Sequence, residues 1–258
     1  MTSPGILVTH DRLDYASAWD LQRRLVEERI TGCRPDTLLL LEHEPVFTVG
    51  RSGGAAHWGD EQGLRESGYS LYRVERGGSV TYHGPGQVVG YPILRLRNFC
   101  PGPKAYVRLL EEVLMRTLAD WDIAGRRVER LPGVWVGPEP AKIAALGVRI
   151  ARGVTMHGFA LNATVDLAPF QRIVPCGIAG CRVTSMAELL GQSVDVALVR
   201  QRIADHFAEV FGLNWITEVD CAAEPAADFS DEGPVAGVAG ERERRRSMVS
   251  LEHGGERA

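Results

Sequence analysis

The chain has 258 residues, 45% hydrophobic and 24% charged, with a formal net charge of -4, an ordinary make-up for a globular protein with material for a core. That charge excludes the strongly basic footprint of a nucleic-acid-coating protein, and no run approaches the roughly 18 consecutive apolar residues of a membrane span. Five cysteines, at 33, 100, 176, 181 and 221, are odd in number and irregular in spacing; with no signal-peptide pattern at the N-terminus, they read as free thiols of a cytoplasmic protein.

Gly5 to Val8 predicts a first strand. A helix is expected from Asp14 to Thr31, with Trp19, Val26 and Ile30 at helical spacing and Gly32 as its stop. TLLLLEH (37–43) has the pattern of a buried strand, VFTVG (46–50) that of a short one, and residues 71–94 read as strands broken by Gly/Pro turns. A second helix follows Pro103, with Val107, Leu110, Leu114, Leu118 and Trp121 as its stripe. VWV (134–136), AKIAALGVRI (141–150), GVTMH (153–157) and FALNATV (159–165) read as successive antiparallel strands. Ser185 with Glu188 makes a capping-box pattern. A last helix opens at Asp195, carries Val199, Ile203, Phe207 and Val210 on one face, and stops at Gly212.

Beyond about residue 222 the sequence is rich in Ala, Gly, Glu and Arg with few large apolar side chains, the composition of a disordered tail. Its ERERRR run reads as a solvated charge cluster. Strands with interspersed long helices predict an α+β fold, one domain over residues 1–221 with a mixed or antiparallel sheet flanked by helices. Monomer is the default expectation, since no pattern specifies a subunit interface.

Of the 29 basic residues only Lys104 and Lys142 are lysine; the other 27 are arginine. A lysine in such a chain suits a position where a proton must be gained and lost, which arginine cannot do. Lys142 opens the apolar run KIAALG, so it is either buried and usable as a base or a strand-end lysine reaching for solvent.

RGGSVTYHGPGQ (76–87) is the densest glycine cluster with polar neighbours. It reads as a loop that approaches a ligand closely, or as a glycine-rich hairpin with no ligand. It is no dinucleotide fingerprint, because the third required glycine is missing. For His83 the ordinary reading is a satisfied structural histidine. GFALN (158–162) puts small and apolar residues side by side, a lining suited to a hydrocarbon chain and equally to hairpin packing.

In IVPCGIAGC (173–181), Pro175 and Gly177 fix a turn that presents Cys176 outward with backbone N–H groups nearby as an oxyanion site. A thiolate is the best side-chain nucleophile toward thioesters and esters; the alternative is a small buried hydrophobe. Cys181 fits that alternative better. The spacing of 176 and 181 lacks the further ligands of a metal site.

Together RGGSVTYHGPGQVVGYPI, KIAALGVRI, HGFALN and IVPCG, with LLLEHEPVFTVGR (39–51), resemble the octanoyltransferases of lipoate biosynthesis, relatives of lipoate–protein and biotin–protein ligases. The resemblance covers about residues 5–215. It implies the α+β catalytic domain of those ligases. It also implies transfer of an octanoyl (or lipoyl) group from a thioester on acyl carrier protein to a lysine of lipoyl domains, in 2-oxoacid dehydrogenase E2 subunits and the glycine-cleavage H protein. By the same resemblance Cys176 holds the acyl group, and Lys142 eases loss of the thiol proton as general base and acid. Substrate contacts then fall on Arg76, Gly77, Gly78, Ser79, Val80, Thr81, Tyr82 and His83, on Ala145, Leu146 and Gly147, and on Gly158, Phe159 and Ala160. No ATP, metal or other cofactor is implied.

Three rivals stand beside this reading. An ATP-dependent lipoate or octanoate ligase of the same fold would need no cysteine and typically continues toward an Asp and G-N where this chain has GPGQ. A lipoyl-domain amidotransferase would differ only in its donor. A non-catalytic acyl-binding module would have no use for Cys176 and Lys142 together.

Overall fold

In the computed structural model, which describes residues 2–58 and 61–216, Asp14 caps the first helix by accepting the Ser17 amide at 3.0 Å, and Gly32 ends it in a left-handed turn. The chain runs β1 (Ser3–Leu13), α1 (Tyr15–Thr31), β2 (Asp36–His43), β3 (Val46–Val49), α2 (Glu61–Glu66), β4 (Ser70–Arg73), β5 (Val80–His83) and β6 (Gln87–Ile93). It continues through α3 (Pro103–Ala119), β7 (Arg126–Val128), β8 (Leu131–Val136), β9 (Ala141–Ala151) and β10 (Val154–Asn162), and ends in β11 (Arg182–Val183), α4 (Met186–Leu190), α5 (Val196–Phe211) and β12 (Leu213–Ile216).

Nine strands form the main sheet in the order β12-β1-β2-β6-β10-β9-β8-β7, with β11 beside β9. Its β12–β1–β2 side is parallel, and the pairings from β2 to β7 are antiparallel. The sheet is therefore mixed, as the sequence predicts. β2 shows why its apolar run does not alternate. Leu38 and Leu40 pack with Tyr106, Leu110 and Phe207 of α3 and α5, whereas Leu39 and Leu41 pack with Ala18 of α1. Both faces are covered, so both need apolar side chains. A second, three-stranded sheet, β4-β3-β5, has its own core around Phe47, Val80 and Tyr82.

Several sequence expectations shift in detail. GVTMH and FALNATV are one strand, β10, and not two; the break sits in its middle as a left-handed residue, His157 at φ 58. On α3 the buried stripe is Tyr106, Leu110, Val113, Leu114 and Leu118, with Val107 and Trp121 only partly covered. Ser185 caps α4 through the Glu188 amide, but the Glu188 carboxylate turns to Thr184 and leaves half a capping box. Strands β7 and β12 and the short α2 carried no periodic signal long enough to predict them. The stretch expected to be a disordered tail, 222–258, lies outside the described residues. Among the described residues no helix is long and apolar enough to cross a membrane.

The small sheet and α1 close over a group of buried rings. His43 bonds the Leu13 carbonyl at 2.8 Å and the Tyr91 hydroxyl at 2.7 Å. Burial pushes its ring down to about 4 from the usual 6.5. His157, 1% exposed, is pushed down to about 4 by burial first and by the charge of Arg76 second. Both rings are neutral when folded, and the unfolded chain takes up their protons first. Their stabilisation is complete above pH 6.5 and is lost as pH falls toward 4, by up to roughly 3 kcal/mol per ring. Denaturant midpoints should be flat above pH 7 and fall steadily from 6.5 to 4.5; a midpoint unchanged down to pH 5 would contradict buried neutral rings.

Candidate active site

Lys142 enters on β9, whose pairing with β8 slips by one residue between Val134 and Trp135. Its side chain is buried, 4% exposed. Nζ lies 3.2 Å from the Pro132 carbonyl and 3.2 Å from Cys176 Sγ, and stands 4.6 Å over the Trp135 ring. An aromatic face, a carbonyl and a sulfur suit an ammonium group that has left water. Room for it depends on Gly133, where a Cβ would come within 3.3 Å of Lys142 Cε and 2.6 Å of the Ala144 carbonyl. Of the two readings of Lys142, the fold buries the side chain and does not send it to solvent.

Cys176 sits half-buried in a short 3-10 turn at φ 57, followed by Gly177 at φ 70. A left-handed cysteine is strained, and such strain persists only where neighbours hold it. Here the holders are on both sides. The Val174 amide donates to the His57 carbonyl at 2.7 Å, and downstream β11 pairs Val183 with Lys142 itself. Two of the turn's amides are already committed within the turn. Gly177 N–H is bonded to the Val174 carbonyl at 2.9 Å and Ile178 N–H to the Pro175 carbonyl at 3.1 Å.

The RGG loop lies across β9. Gly77 N–H donates to the Val148 carbonyl at 2.9 Å, and the approach requires Gly147, where a Cβ would sit 2.9 Å from the Gly77 carbonyl. Arg76 is buried and donates through one terminal nitrogen to the Thr48 carbonyl and hydroxyl, at 2.7 and 2.9 Å, and through the other to the Gly77 carbonyl. Thr48 Oγ1 meets His83 Nε2 at 3.3 Å, and His83 Nδ1 meets Gln87 Oε1 at 2.7 Å. Both His83 nitrogens are partnered, as the structural reading of that residue predicts. Gln87 then donates to Asn162, and Asn162 to the Thr184 carbonyl, whose residue donates its amide to the carbonyl of Lys142. A buried polar chain thus runs from the RGG loop back to the lysine.

These elements enclose a cavity of about 320 Å³. It is lined by every residue expected at the site except Tyr82: by Cys176 and Lys142, by Arg76 to Thr81 and His83, by Ala145 to Gly147, and by Gly158 to Ala160. Tyr82 points the other way from β5 and packs on Phe47, Tyr69 and Phe170 in the core of the small sheet. Sequence reasoning missed Tyr15, Tyr91 and His157, which line the same cavity. It also missed His57, whose ring bonds Ser79 Oγ at 2.7 Å and would lie 3.0 Å from a Cβ added at Gly177. Two quoted motifs contain members of this set without singling them out, RGGSVTYHGPGQVVGYPI with Tyr91 and HGFALN with His157. Cys181, expected to be buried, is half-exposed on a separate hollow, its thiol pushed up by partial burial against the opposing charge of Lys142. Among the described residues the four cysteines are unpaired, and no three His, Cys, Asp or Glu side chains gather as a metal site requires.

The model of the lipoyl protein ligase A/B catalytic domain family matches residues 14–208. An octanoyltransferase of Alkaliphilus metalliredigens is 46% identical over 216 residues, covering 83% of this chain and 98% of that protein. An octanoyltransferase of Solibacter usitatus is 47% identical over 214 residues, covering 82% of this chain and 95% of its own. Among solved structures, the bipartite lipoate protein ligase of Thermoplasma acidophilum has the same fold at 16% identity. Its TM-score is 0.63, over 84% of this chain and 88% of that one.

The glycine at 147 provides a direct check on this geometry. Gly147→Ala sets a methyl against a backbone carbonyl that cannot swing aside, and should cost about 1–3 kcal/mol while releasing the Gly77 amide to faster hydrogen exchange. Gly54→Ala, with nothing within 4 Å of the added carbon, should change neither reading. Equal melting curves and equal exchange in the two variants would refute the contact.

Proposed function

Since the chain belongs to the lipoyl protein ligase A/B catalytic domain family, we propose that it is an octanoyltransferase whose acyl group rests on Cys176 as a thioester on its way to a protein lysine. The observation that carries this reading is the 3.2 Å contact between Lys142 Nζ and Cys176 Sγ at an otherwise largely apolar cavity. The two octanoyltransferase relatives support the acyl group, and the family match supports assigning the activity to a span that includes residues 14–208.

In the first half-reaction Cys176 yields its proton to Lys142 and the thiolate attacks the carbonyl carbon of the donor thioester. The carbon–sulfur bond to the donor breaks, and the departing thiolate takes the proton from the Lys142 ammonium. One thioester replaces another, so the step is nearly isoenergetic and draws on no nucleotide. In the second half-reaction the amine of the target lysine attacks the Cys176 thioester and loses a proton to Lys142. The carbon–sulfur bond breaks, an amide remains, and Cys176 recovers its thiol. Amide formation from a thioester runs strongly downhill and gives the sequence its direction.

The donor in this reading is acyl carrier protein and the acceptors are lipoyl domains. The fold shared with a lipoate protein ligase supports that acceptor class, and the thioester chemistry supports the donor. The Cys176–Lys142 contact also weighs against an adenylating ligase, which activates its acyl group on a nucleotide and has no use for a thiolate.

Mixing the protein with octanoyl-carrier protein should yield an octanoyl adduct by intact mass, labile to hydroxylamine and absent in Cys176→Ser. An adduct undiminished in that variant removes the assignment. Lys142→Arg keeps the charge but cannot pass the proton, so transfer at neutral pH should slow at least about 100-fold, the scale of general acid–base catalysis. A near-normal rate would remove the proton-transfer role of Lys142.

A further inference from the structure

The carboxylate of Glu111 has no part in the chemistry above, yet it sits one peptide away from it. Glu111 lies on the buried side of α3, 5% exposed. Its Oε1 accepts the Gly133 amide at 3.0 Å, and its Oε2 accepts Arg127 Nε at 3.1 Å. The Gly133 N–H belongs to the same peptide unit as the Pro132 carbonyl, the group that stands 3.2 Å from Lys142 Nζ. A trans peptide is planar, with its N–H and C=O pointing opposite ways. Carboxylate and lysine nitrogen therefore face each other through that one unit, on the order of 8 Å apart.

The unit is held in this orientation. Gly133 is at φ 130, which residues with a side chain avoid, and a Cβ there would come within 3.5 Å of Nζ itself. Beside it the Leu131 carbonyl accepts the Trp135 indole N–H at 3.0 Å, and the same indole carries Nζ over its face. A carboxylate at the N–H end polarises the peptide and makes its carbonyl a stronger acceptor. The other ionisable groups around the pair act differently. Arg76 and Arg130, in the cavity wall, are cations and oppose a proton on the lysine. Burial keeps His83 and His157 neutral at pH 7, and likewise Tyr15 and Tyr91. His57 is bonded to Ser79, and burial pushes the Cys181 thiol up. Glu75 and Glu139 are each taken by an arginine, Arg149 and Arg182, at 3.1 and 2.8 Å. On the far side of Glu111, Arg127 divides its charge with Glu112, at 3.0 Å.

We propose that Glu111 is a positioning residue for the reaction: through the Pro132–Gly133 peptide it keeps the proton shared by Lys142 and Cys176 on the lysine, and so maintains Cys176 as a thiolate. The inference rests on the proton-transfer role of Lys142 given above. The carboxylate reaches the lysine through one peptide, and the sulfur through the lysine in turn. Its charge therefore favours ammonium with thiolate over amine with thiol. One proton moves from Sγ to Nζ, and no other bond changes.

The test is the rate at which iodoacetamide alkylates Cys176 in the full chain, read by peptide mass from about pH 6 to 10, since the thiolate is the reacting form. Glu111→Gln retains an oxygen for the Gly133 amide and removes the charge. At pH 7 its alkylation should be about 3- to 10-fold slower than in the wild type, the scale of a hydrogen bond that loses its charge. The two rates should converge toward pH 10, as the last proton leaves the pair. A Glu111 that merely holds α3 to β8 gives a wild-type rate at pH 7, or one displaced by the same factor at every pH; either result overturns the proposal. Arg127→Met breaks the same ion pair from its other side and frees the carboxylate, so alkylation at pH 7 should be no slower than in the wild type. A slower rate there makes the ion pair, and not the Glu111 charge, what the thiol responds to, and overturns the proposal. Should Glu111→Gln fail to fold, Arg127→Met decides alone. No acyl donor takes part, so the octanoyltransferase reading stands or falls separately, on its own adduct.

Discussion

A lysine nitrogen held out of water, within reach of a thiol, is the constraint around which this molecule is arranged. Lys142 lies on a strand whose neighbours are apolar, and the hydrogen-bond partners of its Nζ among the described residues are a carbonyl and the Cys176 sulfur. Charge in such a place is costly unless each neighbour is fitted to it. The fitting is visible in the register slip between β8 and β9, in the missing side chain at Gly133, and in the indole of Trp135. None of these residues lines the cavity, yet each fixes where the lysine nitrogen stands.

The second requirement is that a glycine-rich loop, two sheets and the lysine strand keep a common geometry. The polar chain from Arg76 through Thr48, His83, Gln87, Asn162 and Thr184 does this. Each member is buried and each satisfies the next, the condition under which a polar network stiffens a core instead of weakening it. It joins β3 and β5 of the small sheet to β6 and β10 of the large one, so the cavity between them has a fixed width.

The sequence made the chemistry more legible than the architecture around it. Lys142 stood out because arginine occupies almost every other basic position, and Cys176 because Pro175 and Gly177 bracket it. Helices α1, α3 and α5 were readable from their apolar spacing and from Asp14, Pro103 and Asp195 at their starts. β7 and β12 were not, because three or four residues carry too little periodicity to register. The break in β10 was misread as the gap between two strands. A left-handed residue is unremarkable in sequence when it is a histidine and not a glycine. Tyr15 and His57 were silent for another reason: each reaches the site across the fold, and no local pattern marks a residue whose partner lies dozens of positions away. Tyr82 was swept in by its motif, although strand alternation turns it into the small sheet's core.

One further consequence follows from the way Cys176 is tied down. Upstream, Val174 is fastened to His57, and downstream Arg182 and Val183 are laced to Ala141 and Lys142. The sulfur therefore travels on a leash of only a few residues, with both pegs driven into rigid strand or turn. It cannot swing out to collect cargo or deliver it. In the proposed reaction traffic must come inward instead, so whatever brings the acyl group and whatever takes it away must each carry its reactive end on an arm long and slender enough to reach the thiol.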